Sequence, residues 1–548
     1  KTQLKFLIKL AGNKSEFINS DYKKWTLLSI ILGLFIFLPI TTIVYKTIFN
    51  NSVSLKYLLE TLLLEYSLNT IYLVFLTSFF SLIFGIFPAW FISIYKFKGR
   101  QFYDLVLFLP LAIPTYIMAF TYGDILSYTG PIQSYIRNNF SEIYYLFNKD
   151  FLQIEILAII LGLALYPYIY SVSRVSFSLI GSNYLNLSKT LGLSSFKTFI
   201  KIILPLSSPA IFSGLFLVIM EVLNEYGAVK YFGVNTYTTG IFRAWFSMND
   251  ISSAIILAFI LMLIVFLLFF LEKKYHSKYK FNYSSNTKIQ NLSETSLLNS
   301  ILINLTCLIP FLFGFMIPLF FIINNSIGIF DKTDFHNLIE LTSNSIYISF
   351  ISAILIVIIA LFFQYTEKIS KSKINNFLSQ LISLGYAIPG AVVALALIIF
   401  FSGINNLFPS IYLLGSLYIL IYALIVRFLA VGKSPIKSSL EKHPESFDDT
   451  AKNLGLSPFK ILQKIHLPIN FSALIIAFIV TFVDLMKELP ITLILRPFNF
   501  DTLATQTYEF AVEEMIPLSA TYSLVIITLG SLMLLILKNF IDKQINVS

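Results

Sequence analysis

The sequence predicts an all-α integral membrane protein with twelve transmembrane helices in two parallel six-helix repeats. Hydrophobic residues make up 57% of the 548-residue chain and charged residues 12%, and the mean hydropathy of +0.79 lies well outside the range of soluble domains. The apolar runs suit helices, which need about 20 apolar residues to cross a hydrocarbon core roughly 30 Å thick, and they lack the alternation of a membrane β-barrel. Finally, a polar stretch occurs twice: LGLSSFKTFIKIILP (Leu191 to Pro205) and LGLSPFKILQKIHLP (Leu454 to Pro468) share ten of fifteen residues at a separation of 263.

Taken in order, the apolar runs place spans at about 25–45, 66–95, 102–127, 152–175, 208–232 and 251–271, then at about 298–323, 342–364, 378–402, 409–430, 471–495 and 519–540. The expected organisation is a segment 1–24, a first half 25–271, a linker 272–297 rich in Lys, Ser, Asn and Thr, and a second half 298–548. Other matches between the halves lie at a separation of 275: Asn69, Ile71 and Tyr72 correspond to Asn344, Ile346 and Tyr347, and Ala112-Ile113-Pro114 corresponds to Ala387-Ile388-Pro389. The change from 275 to 263 gives the first half 12 additional residues between Pro114 and Leu191, most naturally near Ser127 to Phe151. Two repeats of six spans have the same orientation, so their pseudo-twofold axis runs along the membrane normal.

With both termini in the cytoplasm, 30 of the 39 Lys and Arg residues fall on inner segments and 7 on outer ones, leaving Lys230 and Lys487 at or within spans. The positive-inside rule then puts both copies of the repeated stretch on the cytoplasmic face. The net charge of +10 reflects this bias, and no nucleic-acid partner is expected. The chain starts at Lys1 without a methionine, and nothing in its first 24 residues reads as a cleavable signal.

Each repeated stretch reads as two short helices joined by a glycine turn. In the second, Pro444 suits a first helical position, Gly455 can end the helix in the left-handed conformation, and Ser457 and Pro458 open the next helix. The first uses Ser182, Gly192 and Ser194 in the same roles. Leu204-Pro205 and Leu467-Pro468 return the chain to the membrane. Such a rigid element at the membrane face is suited to docking a partner.

At these residues the chain resembles the permease subunits of ATP-binding-cassette importers, type I in architecture. Their cytoplasmic docking loop carries Glu-Ala-Ala, three residues, Gly, then nine residues to an apolar residue and Leu-Pro. Asn186-Leu187-Ser188 and Asp449-Thr450-Ala451 occupy the Glu-Ala-Ala positions here, with Gly192 and Gly455 both kept and an acidic residue only at Asp449. Glu225-Tyr226-Gly227 through Asp250, and Lys487-Glu488-Leu489-Pro490 through Phe510, are similar to the fused two-half permeases of ferric-iron importers. The resemblance implies two cytoplasmic ATPase subunits that bind ATP and Mg, an external iron-binding protein, no cofactor in this chain, and a bacterial inner membrane. It also implies alternating access driven by closure of the ATPases.

Four acidic residues mark a candidate path. Glu221 pairs with Asp484, and Glu225 with Glu488, at the separation of 263. A central charge costs about 2.5–3.5 kcal/mol on insertion scales, so such residues face a bundle interior or water. Symmetric carboxylates suit a trivalent cation, and Glu225 and Glu488 are the candidate transient iron contacts. The competing reading is local: Lys487 lies three residues from Asp484 and can neutralise it, and Pro490 can end the span and leave Glu488 in water. Pro114 and Pro389 fall within spans 3 and 9, where proline kinks a helix.

Other chemistry is excluded. Gly432-Lys433-Ser434 lacks the leading glycine of a nucleotide-binding loop, since Arg427 stands there. The histidines His276, His336, His443 and His466 have no paired metal-ligand spacing and read as loop or interface residues. Cys307 reads as a small core residue. The rival functions are an importer of the same architecture for thiamine, a polyamine or sulfate, and an ion-coupled secondary transporter, which leaves the paired docking loops unexplained. Because only the second loop keeps Asp449 and Ala451, Gly455→Val impairs ATPase binding more than Gly192→Val in a pull-down. Equal losses remove that asymmetry.

Overall fold

The computed structural model describes residues 20–49, 62–140, 151–179, 188, 190–278, 292–370, 372–410, 413–444 and 446–547. Among them, ten helices are long and apolar enough to cross a membrane, and up to twelve if each of two bent pairs forms one span. The bent pairs are Arg100–Ala112 with Thr115–Asn139, at 91°, and Pro458–Ile469 with Phe471–Met486, at 75°. The described strand structure is a two-residue parallel pairing of Tyr95–Lys96 with Ser293–Glu294.

The chain packs as two compact units. One comprises Lys1–Asn51, Ile339–Thr502 and Leu532–Ser548, the other Ser52–Leu338 and Leu503–Ser531. These units do not coincide with the sequence halves 25–271 and 298–548, because each half's first span, and Leu503–Ser531 of the second half, packs in the unit built mainly from the other half. Helix Ser20–Phe49 lies on Lys373–Leu384 and Gly390–Leu407. There Ser29 Oγ donates to Asn375 Oδ1 at 2.6 Å, and the Trp25 ring stacks on Phe362 at 5.4 Å. Helix Leu298–Gly328 lies on Leu63–Ile94 and Thr115–Leu126 in the other unit.

The larger unit is centred on helix Ile154–Leu179, packed between Leu63–Ile94 and Ser195–Asn224. Lipid gives apolar surfaces no hydrophobic reason to associate, so close backbone approach at small residues supplies the packing. A Cβ at Gly162 would stand 2.7 Å from Phe80 Cβ, and one at Gly214 only 2.9 Å from Ile169 Cα. Side chains such as Leu64, Ile71 and Phe75 stay exposed on outer helix faces.

Proline and glutamate punctuate the spans. Pro114 and Pro389 were expected to kink helices from inside. They stand instead immediately before helices Thr115–Leu126 and Gly390–Leu407, both extended, with ψ of 143°. Proline lacks an N–H and disfavours helix in the residue before it, so these positions start a helix more readily than they bend one. Spans 5 and 11 break near their ends: Ser195–Asn224 gives way at Glu225 to a short helix Gly227–Tyr231, and Phe471–Met486 gives way at Lys487 to Pro490–Leu495.

Gly214→Val should destabilise the larger unit by about 1–3 kcal/mol, because the added methyls meet backbone that cannot retreat. Thermal unfolding in detergent measures it, and an unshifted midpoint would show that the helices separate freely.

Candidate functional site

The repeated stretches fold alike. Gly192 and Gly455 are left-handed, with φ of 67° and 76°. Each turn is closed by a six-residue hydrogen bond, Leu193 N to Ser188 O at 3.0 Å and Leu456 N to Ala451 O at 3.1 Å, as in a Schellman cap. Ser188 and Ala451 are buried. Ser194 Oγ accepts from Lys197 N at 3.4 Å, as a cap should. Ser457 occupies the cap position without a side-chain bond into its helix, and Pro458 holds the first turn instead. Asn186, Leu187 and Ser182 lie outside the described residues.

Both second helices widen into a π turn, Phe199–Ile203 and Leu462–His466, just before Leu204-Pro205 and Leu467-Pro468. Proline has no N–H to return to the carbonyl four residues back, and the wider turn lets Leu204 N and Leu467 N bond Phe199 O and Leu462 O instead.

The anchors beneath the two loops differ. Under the first, Trp90 stacks on Phe199 at 4.2 Å and Phe177 meets Phe199 edge-on at 6.2 Å. Under the second, His466 Nε2 lies 2.7 Å from Asp448 Oδ1, and Lys368 Nζ lies 3.9 Å from Asp448 Oδ2. Tyr365, which matches Trp90 at the 275 separation, donates its hydroxyl to Pro458 O at 2.6 Å. Burial raises the Asp448 pKa, but the His466 bond and the charges of His466, Lys368 and Lys452 outweigh it and hold the carboxyl below its ordinary value. A depressed carboxyl pKa adds stability above the unfolded value of 3.8, and that stability is lost as pH falls through the lower folded value. Asp449, the acidic residue singled out by the sequence, is exposed, with Lys452 at 3.7 Å. His466, expected in a loop or at an interface, is buried inside a helix.

The helix breaks contain the other candidate residues. Glu225 is buried; its Oε1 accepts from Ala228 N at 2.9 Å and its Oε2 from the Thr115 hydroxyl. Glu488 is buried too: its Oε1 accepts from Ile491 N at 2.9 Å and its Oε2 from Thr492 N at 3.1 Å, and Arg427 Nη1 lies 3.1 Å from Oε1. Each carboxylate thus caps the short helix that follows it. The expectation that Pro490 leaves Glu488 in water is corrected: its side chain is 1% exposed, because Pro490 begins the next helix and turns Glu488 inward. Asp484 and Lys487 do pair, at 2.9 Å. Glu221 lies on the helix that ends just before Glu225, one turn before the break, and is partly buried.

Thr115 and Gly390 are repeat counterparts, and so are Ala164 and Arg427. A Cβ at Gly390 would stand 2.6 Å from Arg427 Nη1, so glycine there makes room for the guanidinium that replaces the threonine hydroxyl. Sequence reasoning missed Thr115, Arg427 and Asp448. Arg427 carried a signal of its own, since a charge within a span marks a functional site by default. Tyr508 donates its hydroxyl to Tyr226, beside Glu225, at 3.2 Å. Glu225 and Glu488 belong to separate units. Among the described residues no group of three or more His, Cys, Asp or Glu could hold a metal ion.

Residues 81–280 and 365–546 match the family described as binding-protein-dependent transport system inner membrane component. The chain is 26% identical over 536 residues to the Fe(3+)-transport system permease protein FbpB 2 of Haemophilus influenzae, covering 94% of this chain and 98% of that protein. It is 26% identical over 166 residues to the sulfate transport system permease protein CysT of Escherichia coli, covering 30% of this chain and 57% of that one. It is also 29% identical over 209 residues to the molybdate/tungstate transport system permease protein WtpB of Methanocaldococcus jannaschii, covering 37% and 76%.

Glu488→Ala strands the Arg427 charge in the interior and should cost about 3–5 kcal/mol in thermal or denaturant unfolding. Arg427→Ala is also destabilising, and adding Gly390→Thr, which supplies the hydroxyl found at Thr115, recovers part of the loss. A double variant no better than Arg427→Ala would show that the two breaks are not interchangeable.

Proposed function

The chain belongs to the family of binding-protein-dependent transport system inner membrane components, and from that premise we propose that it is the permease subunit of an ATP-driven ferric-iron importer. It is a multi-pass membrane transport protein and not an enzyme; the energy comes from partners. Two cytoplasmic ATPase subunits holding ATP and Mg dock on the repeated loops, and an external iron-binding protein delivers the solute. Closure of the ATPases draws the loops together and opens the path outward, and release of ADP reverses the motion by rigid-body shifts.

One observation carries the docking reading. Within the fifteen-residue repeat, all three positions buried in both copies differ: Thr198 and Ile461, Phe199 and Leu462, Ile203 and His466. The identical positions are exposed or half-exposed in both copies. Leu191 and Leu454 are 66% and 75% exposed, and Phe196 and Phe459 are 57% and 56%. Matched exposed apolar side chains over unmatched interiors suit two surfaces that meet the same partner. Iron is favoured by the near full-length likeness to the iron permease of Haemophilus influenzae, whereas the sulfate and molybdate/tungstate relatives match only part of the chain.

The test is to purify the chain with its co-migrating subunits and identify the solute held by its binding protein. Ferric iron and an ATPase are expected; an oxyanion would move the substrate to the sulfate or molybdate class, and recovery of no ATPase would count against docking. Within the importer, Glu225 and Glu488 are the candidate path residues. Glu225→Gln combined with Glu488→Gln should lower iron uptake at normal expression, and unchanged uptake would take both residues off the path.

A further inference from the structure

The two loops share a backbone and an exposed face but are held from beneath by different chemistry. The anchor of the second joins the end of helix Phe335–Ser370, helix Ser446–Asn453 and helix Pro458–Ile469. Asp448 and His466, with side chains 8% and 1% exposed, bond at 2.7 Å. Lys368 flanks Asp448 and donates to Leu440 O at 2.8 Å and His443 O at 3.3 Å, which ties the preceding chain to the same point. The Tyr365 ring covers His466 with centroids 5.3 Å apart. The counterparts at the repeat separations are Leu185 for Asp448, Ile203 for His466, Ser93 for Lys368 and Trp90 for Tyr365, none of them ionisable. A buried carboxylate is costly unless paired and hydrogen-bonded. The pair therefore fixes where the three segments meet more narrowly than an apolar contact of similar area, which tolerates sliding.

We propose that Asp448 and His466, backed by Lys368, are positioning residues that set the second docking loop so that Leu454 and Phe459 meet the ATPase subunit. This rests on the docking reading above. Neither residue touches the partner; Asp448 acts through the helix that ends before Gly455, and His466 through the helix that follows it. Among the described residues, the first loop is held by the stack of Trp90 on Phe199.

The experiment uses the full-length chain in membranes with its ATPase subunits, purified without nucleotide. The readouts are ATPase recovered per permease and ATP hydrolysis stimulated by the loaded binding protein. Asp448→Leu and His466→Ile should each release the ATPase copy at the second loop and leave the other in place. They should also lower stimulated hydrolysis by at least about tenfold, the scale of orphaning one member of a buried pair. Asp448→Glu keeps the charge and should retain both readouts. The double variant should be no worse than either single, because the two residues act as one unit. A folding defect lowers the yield of permease but not the ratio of ATPase to permease. Unchanged recovery in Asp448→Leu while Gly455→Val sheds ATPase would overturn the proposal and leave docking intact, as would equal losses in Asp448→Glu and Asp448→Leu. Full recovery in both Gly192→Val and Gly455→Val would overturn the docking reading, and this inference with it.

Discussion

A carboxylate inside a membrane-spanning segment persists only when its charge is shared among donors. At Glu225 and Glu488 the donors include the amides that the helix break itself exposes. Break and carboxylate answer one another: an interrupted helix leaves N–H groups without partners in a medium that offers no water, and the carboxylate needs just such groups. Removing either makes the other costly. The further donors come from beside the conserved prolines of the repeat, Thr115 directly after Pro114, and Arg427 in the space that Gly390 leaves after Pro389. The Ala-Ile-Pro sequences and the glutamates, distant in sequence, therefore belong to one arrangement in each unit.

Duplication has kept positions and exchanged chemistry. At the breaks, threonine with alanine in one half becomes glycine with arginine in the other. Nearby, Tyr170 donates to Asp104 at 3.2 Å, and the repeat counterparts of these residues are Lys433 and Ser379, where the lysine donates to the serine carbonyl. Contacts at equivalent places survive with different donors because the backbone geometry fixes only where two side chains meet. Any pair that fills the space and satisfies its polar atoms serves.

Much of the fold was legible because the membrane imposes lengths and the repeat imposes a register. The apolar runs gave the spans, and Gly192 and Gly455 were recognisable as left-handed because the chain had to turn there. What escaped was decided by tertiary contact. That each half's first span packs with the other half's residues and that Glu488 is sealed by Arg427 depend on neighbours over 30 residues away in sequence, whereas the helix starts after Pro114 and Pro389 follow from proline's own chemistry. The loops show the same limit: the family pattern drew attention to Asp449, while the acidic residue with a buried partner is its neighbour Asp448, visible only once His466 is placed against it.

The divergence beneath the loops bears on how they work. A duplicated element under no shared constraint changes first where exposure makes substitution cheap, and keeps its interior, where volume changes are felt. Here the order is reversed: Leu191 and Phe196 recur as Leu454 and Phe459, whereas Phe199 and Ile203 have become Leu462 and His466. The exposed face is therefore what both copies must keep, and each interior has been free to find its own way of holding it. An aromatic stack resists loss of area and tolerates sliding, whereas a buried hydrogen-bonded pair resists displacement of its two members. Two loops with one outward face thus differ in the chemistry that holds that face in place.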